Sequence, residues 1–357
     1  MRWVGARAAG AVTVAALALA GCAGTVEGFT GAGEGPSVAF LLPESKTSRY
    51  EAVDRPVFTA AVARECPECH VVYANAGGDA ARQQAQAEAA LVQGVDVLVL
   101  DAVDGAAARA IVVEAAERGV KVLAYDRFVQ DAPLDHYVAY DGVQVGRLQG
   151  EALVRVLGEV PDGSGVLMVH GAGADPNAAA IKEGVWEVVR AAGLPVLAEF
   201  DTPDWAPDKA QEWVEAKLTE LGGRVVGVYA ANDGTAGATI SALRAAGRVP
   251  VPPVTGHDAE LAAVQRLVSG DQLMTVHKHI DRQAEQAAVI AVRLARGEAV
   301  PGEVDVDGVP SLLLDPEPVV QQDVADLLAR GVHRVHDVCT ASYRAACEEL
   351  GLEVPRG

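Results

Sequence analysis

From Ser37 onward the chain alternates short apolar runs with longer amphipathic ones, and this alternation restricts the available folds more than any other feature. Apolar runs fall at 38–42, 71–74, 95–100, 120–125, 166–169, 196–200, 225–230 and 274–276. Several show no polar alternation, as expected of strands buried on both faces. Helical periodicity occupies 80–93, 106–118, 144–157, 178–191, 208–221, 235–246 and 281–296. Strand and helix in strict succession give parallel sheets with right-handed crossovers. A single sheet holding all these strands would be unusually wide, so the expected architecture is α/β, with two doubly wound parallel-sheet lobes joined by a hinge. The first crossing is predicted near Asp141, where the run 137–140 meets the next helix.

A chain of 357 residues has room for two such units. Its 29 basic residues against 49 acidic ones give a net charge of -20, which repels phosphate backbones and argues against nucleic acid as a partner. Residues 1–21 carry Arg2 and Arg7 ahead of an apolar run at 11–20 that is too short to span a bilayer, the pattern of a secretory signal. Leu19-Ala20-Gly21-Cys22 resembles the lipobox of bacterial lipoproteins, which implies an acylated Cys22 anchoring the chain to the outer face of the cell membrane. Positions 22–36, rich in Gly, Thr and Glu, form the expected tether. The remaining cysteines are even in number, and in an exported chain Cys66 with Cys69 and Cys339 with Cys347 are the local pairs. A Cys-x-x-Cys can also serve redox or metal chemistry, but no second ligand cluster of suitable spacing accompanies it.

Ligands of open α/β sheets bind beyond the carboxyl ends of the strands. At those places the sequence sets Ser48, Arg49 and Tyr50, then Asp126 and Arg127, Asp175 and Asn177, Trp205, Asn232 and Asp233, Asp258, and Lys278. Taken singly, these read as surface ion pairs, helix caps or a helix-start staple. Together, acids, amides and cations beside aromatic rings suit a neutral polyhydroxyl ligand, whose hydroxyls both donate and accept and whose C–H face lies against a ring. No Gly-x-x-x-x-Gly-Lys-Ser/Thr loop or Gly-x-Ser-x-Gly elbow occurs, and Gly171-Ala172-Gly173 lacks a third glycine at dinucleotide-binding spacing. No enzyme activity and no cofactor are expected. His277 and His279 flank Lys278 and are read as facing opposite sides of a strand, so no metal site is expected either.

The segments Ala124-Tyr125-Asp126-Arg127, Tyr140-Asp141-Gly142-Val143-Gln144-Val145-Gly146, Asp175-Pro176-Asn177-Ala178, Asp204-Trp205, Ala231-Asn232-Asp233-Gly234-Thr235-Ala236-Gly237, Gly256-His257-Asp258-Ala259-Glu260 and Met274-Thr275-Val276-His277-Lys278 closely resemble those of D-xylose-binding proteins, type I periplasmic sugar-binding proteins of ABC transporters. The resemblance covers roughly residues 37–318. It implies that Arg49, Asp126, Arg127, Asp141, Asn177, Asn232, Asp258 and Lys278 hydrogen-bond a monosaccharide while Trp205 and Tyr50 stack on it. It also implies an N-terminal lobe of 37–141 plus 279–309, a C-terminal lobe of 142–278 plus 310–338, and a return to the second lobe near Pro310; a tail at 339–357 follows, with its local disulfide.

The sequence departs from the family pattern at Tyr50 for a usual tryptophan, Gly142 for an asparagine, His257 for a glutamine and His279 for a proline. Segment 45–50 also resembles binders of galactose, glucose and arabinose, so the expected ligand is D-xylose or a broader set of aldoses. The expected protein partner is an ABC permease with its ATPase, served by a monomeric receptor. A sugar sensor signalling to a kinase or chemoreceptor is the alternative.

Overall fold

The computed structural model describes Met1 and residues 35–352. The expected signal sequence beyond Met1, Cys22, the expected tether up to position 34, and positions 353–357 of the tail lie outside the described residues.

The first lobe opens with β1 (Ser37–Leu42), a π-helical turn at Tyr50–Asp54, α1 (Arg55–Glu65) and β2 (His70–Asn75). It continues through α2 (Ala80–Gln93), β3 (Val97–Leu100), α3 (Gly105–Glu117), β4 (Lys121–Tyr125) and β5 (His136–Tyr140). Aspartates fix the helix starts: Asp79 and Asp104 accept from first-turn amides of α2 and α3. β1, β3 and β4 are buried on both faces, which is why their sequences lack alternation.

The second lobe runs through α4 (Gly142–Leu157), β6 (Gly165–His170), α5 (Pro176–Ala192), β7 (Val196–Asp201), α6 (Pro207–Leu221), β8 (Val225–Ala230), α7 (Asp233–Ala245), α8 (Leu261–Val268) and β9 (Met274–His277). β6 lies between β7 and β8, all parallel. Val254 bridges to Val228, and Gly256 and Asp258 exchange backbone hydrogen bonds with Val276, so segment 254–258 links β8 to β9. Helices α4 and α5 cross at near contact. A Cβ on Gly146 would meet the Ile181 carbonyl at 2.0 Å, and one on Gly184 the Val143 carbonyl at 1.9 Å, so only glycine permits this approach.

After β9 the chain returns to the first lobe as α9 (Ile280–Ala295), β10 (Val304–Val306) and β11 (Val309–Leu314). The first sheet then reads β10-β11-β5-β4-β3-β1-β2, parallel except for β10. Buried residues of α1 and α9 cover one face and those of α2 and α3 the other. Pro310 therefore does not mark the return to the second lobe: it lies within β11, paired to β5 and to β10 on either side, and the chain crosses only after Leu314. A proline is admissible there because β10 is a short edge partner.

Past that crossing β12 (Glu317–Val320) pairs antiparallel with β9, followed by α10 (Val324–Ala329), α11 (Val335–Val338) and α12 (Arg344–Glu349). Cys339 and Cys347 lie at bonding distance in this tail, as do Cys66 and Cys69 after α1. Val324, Leu327, Val338, Cys339 and Cys347 share an apolar cluster with Ala259, Val264 and Leu267, so the tail packs against α8 and the loop preceding it. A His333 ring nitrogen meets the Ala259 carbonyl at 2.8 Å, and Gln265 donates to the Asp337 carbonyl at 2.9 Å.

Candidate functional site

Between the lobes lies a small cavity of about 30 Å³. Its walls include Arg49, Tyr50, Asp126 and Arg127 from the first lobe, Asn177, Trp205, Asn232 and Asp258 from the second, and Lys278 on the crossing between them. Every residue expected at the site except Asp141 is present. Asp141 is exposed, and its carboxylate accepts from the Gln144 amide at 2.9 Å. The family-like segment around it thus supplies a helix cap for α4 and not a cavity wall.

The cations are already matched. Arg49 forks onto Asp54 at 2.8 and 3.0 Å and reaches Asp126 at 3.3 Å. Arg127 lies 3.0 Å from Asp175 and 3.4 Å from Asp101, and donates to the Tyr50 hydroxyl at 3.3 Å. Lys278 sits 3.0 Å from Asp258. Burial pushes the Asp126 carboxyl upward, but Arg49, Lys278 and Arg127 outweigh it and hold the group well below the usual carboxylate range. Asp258 is likewise lowered against its burial by His257 and Lys278. Asp101, behind Arg127, goes the other way: burial raises it, and neither oxygen has a hydrogen-bond partner. A cleft whose charges answer one another makes no demand for a charged ligand, while its remaining donors and acceptors stay available.

Local backbone aims several of these groups. Asp126, Trp205 and Asp258 all have positive φ, of 63°, 54° and 99°, a costly conformation for non-glycine residues that clusters where function needs it. The Trp205 indole donates to Asp175 at 2.8 Å, and its ring fills the space a Cβ on Gly171 would take, at 2.2 Å. Asn232 caps α7 through its side-chain oxygen, which accepts from Thr235, so its amide nitrogen is the group left for a ligand.

Thr47, Asp175, Ile181 and His257 also line the cavity. Asp175 stood at its strand end in the sequence without an assigned contact, and His257 stood out only as a departure from the family pattern; Thr47 and Ile181 carry no signal of their own. His257 is kept neutral by burial, pushed down to about 4, and stands edge-on to Trp205.

The contacts from lobe to lobe describe a closed arrangement. Besides Arg127 with Asp175, Ser48 donates to Glu260 at 3.3 Å, Lys46 reaches Asp204 at 3.5 Å, and the Gly105 amide meets the Ala174 carbonyl at 3.4 Å.

The sequence profile of the periplasmic binding protein domain matches residues 38–299. The D-xylose-binding periplasmic protein of Escherichia coli strain K12 is 35% identical over 306 residues, covering 83% of this chain and 91% of that one. The chain belongs to the type I periplasmic sugar-binding proteins. The D-xylose-binding periplasmic protein of Haemophilus influenzae is 33% identical, over 83% of this chain and 90% of its own. Among solved structures, a carbohydrate-transporter solute-binding protein from Chloroflexus aurantiacus in complex with D-glucose superposes with a TM-score of 0.76 at 27% identity, over 84% of this chain and 97% of its own. Members of this family are substrate-binding proteins and not enzymes, and the family's extracytoplasmic location places this chain outside the cytoplasm.

His277 and His279 do not face apart. Residues two positions apart along an extended chain share a side, and the two rings stand 4.2 Å apart, centroid to centroid.

Proposed function

We propose that this protein captures one monosaccharide, D-xylose in the first instance, by closing its lobes, and delivers it to an ABC permease. The observation that carries this reading is a cleft between the lobes lined by mutually paired cations and carboxylates together with Tyr50 and Trp205. In this reading Asp126, Asp258 and the asparagines accept from or donate to sugar hydroxyls, Arg49, Arg127 and Lys278 donate, and the two rings cover the C–H face. Closure needs contacts that exist only when the lobes meet, and a sugar touching Asp126 and Asp258 together supplies them. Asp141 has no part in this scheme.

A broader aldose receptor is the second reading. It is favoured by Tyr50 and His257 at the cavity, where they depart from the xylose-binding pattern, and by the glucose bound in the Chloroflexus aurantiacus relative. Calorimetric titration with xylose, arabinose, ribose, galactose and glucose decides between them. Binding of xylose alone supports the narrow reading, binding of several aldoses the broad one, and binding of none refutes both. Acylation at Cys22 belongs to the same proposal. Mass spectrometry of the mature N-terminus checks it, and Cys22→Ala is expected to shift the protein from the membrane to the soluble fraction.

A further inference from the structure

The crossings between the lobes carry a side-chain cluster that takes no part in the cavity. His277 ends β9, His279 immediately precedes α9, and Glu317 opens β12 directly opposite His277 in the antiparallel register. One donor atom from each lies within 4.8 Å of the others. His277 is only 4% exposed, and its Nδ1 has no hydrogen-bond partner. His279 Nε2 is 3.3 Å from Glu317 Oε1, while Arg330 occupies Oε2 at 2.6 Å. His279 and Glu317 also line a surface cavity of about 400 Å³ that offers a path of entry.

We propose that His277, His279 and Glu317 bind one divalent transition-metal ion, zinc in the first instance, and that the bound ion holds the lobes closed. Two imidazole nitrogens and one carboxylate oxygen are a zinc donor set, with water as the fourth ligand. Donors around tetrahedral zinc sit roughly 3.4 Å apart, so a pair at the 4.8 Å limit must close by about 1.4 Å. His279 and Glu317 are partly exposed and can make that movement. Arg330 orients the carboxylate from behind and opposes the ion's charge, which sets the affinity below that of buried structural zinc. His277 and Glu317 belong to the β9–β12 pair of the second lobe, whereas His279 leads into a helix of the first. One ion on all three therefore spans a crossing and fixes its angle.

The ion site itself stands apart from the sugar assignment; its closing effect rests on the capture reading. The full mature chain, stripped with EDTA, is titrated with zinc chloride by calorimetry, and its radius of gyration is followed by small-angle scattering without sugar. One zinc per chain is expected, with affinity at least tenfold lower in His279→Ala and in Glu317→Gln, and with a smaller radius of gyration when zinc is bound. Both substitutions fall on partly exposed side chains, and an unchanged melting temperature in EDTA shows that the variants fold. Absence of saturable binding overturns the site, as does stoichiometric binding that neither substitution weakens. Binding without compaction overturns the closing effect. Titration with D-xylose in EDTA separates the two proposals, since sugar capture without metal survives failure of the zinc site.

Discussion

At the scale of single residues, the cleft works by pairing groups that would each be costly alone. Replacing Asp258 by alanine leaves Lys278 buried without its carboxylate and removes an acceptor for the ligand. A charge-assisted hydrogen bond contributes about 1.5–3 kcal/mol, so sugar affinity is expected to fall roughly 10- to 150-fold in Asp258→Ala. A variant with unchanged affinity by calorimetry would remove Asp258 from the site. Gly171 gives a sharper test, because its role is to admit the Trp205 ring. Gly171→Ala is expected to displace the indole, changing tryptophan fluorescence and weakening sugar binding. In the sequence Gly171 reads only as part of a failed dinucleotide-binding motif, since nothing in the chain tells it that a ring thirty-odd positions on will pack against it.

At the scale of elements, the α4–α5 crossing is the tightest constraint in the second lobe. Gly184→Ala would set a Cβ against the backbone of α4, where no side chain can swing aside. Overpacking of this kind costs about 1–3 kcal/mol, and a lower melting temperature in thermal unfolding is the expected result. The tail is held differently. If Cys339 and Cys347 are oxidised, reducing them releases a short loop, and chain entropy predicts a loss of about 2–3 kcal/mol; thiol counting before and after reduction, with thermal unfolding, checks both.

For the molecule as a whole, buried groups pull the acid response both ways: burial holds His170, His257 and His277 low but raises Asp101 and lifts Asp233 to about 8. Burial lowers His170 and His257, each to about 4, whereas an unfolded chain titrates near 6.5. At these histidines the unfolded state binds more protons between those values, so the part of the stability they hold above about pH 6.5 is lost as pH falls toward 4. Measured from pH 7 to pH 4, the melting temperature of His257→Gln is expected to gain on that of the parent chain, because the variant lacks the proton that only the unfolded histidine takes up. The same burial explains what was legible beforehand. Strands covered on both faces, such as β3, β4, β6 and β8, write themselves as apolar runs, and their carboxyl ends mark the cavity. By contrast β10 and β12 are short, Asp307-Gly308 parts β10 from β11, and prolines stand at 310 in β11 and 318 in β12, so the sequence places the last crossing several residues too early. At Asp141 the sequence does not separate a helix cap from a ligand contact, because both ask for the same side chain, and the structure shows the cap.

The tail has one more implication, through the carbonyl of Ala259 that His333 holds. Asp258 and Ala259 both carry positive φ, so this loop sits in a conformation that its own sequence resists and its neighbours impose. The segment clasped by Cys339 and Cys347 is one of those neighbours. A chain not yet oxidised would present a slacker loop at Asp258 and a poorer grip on its ligand.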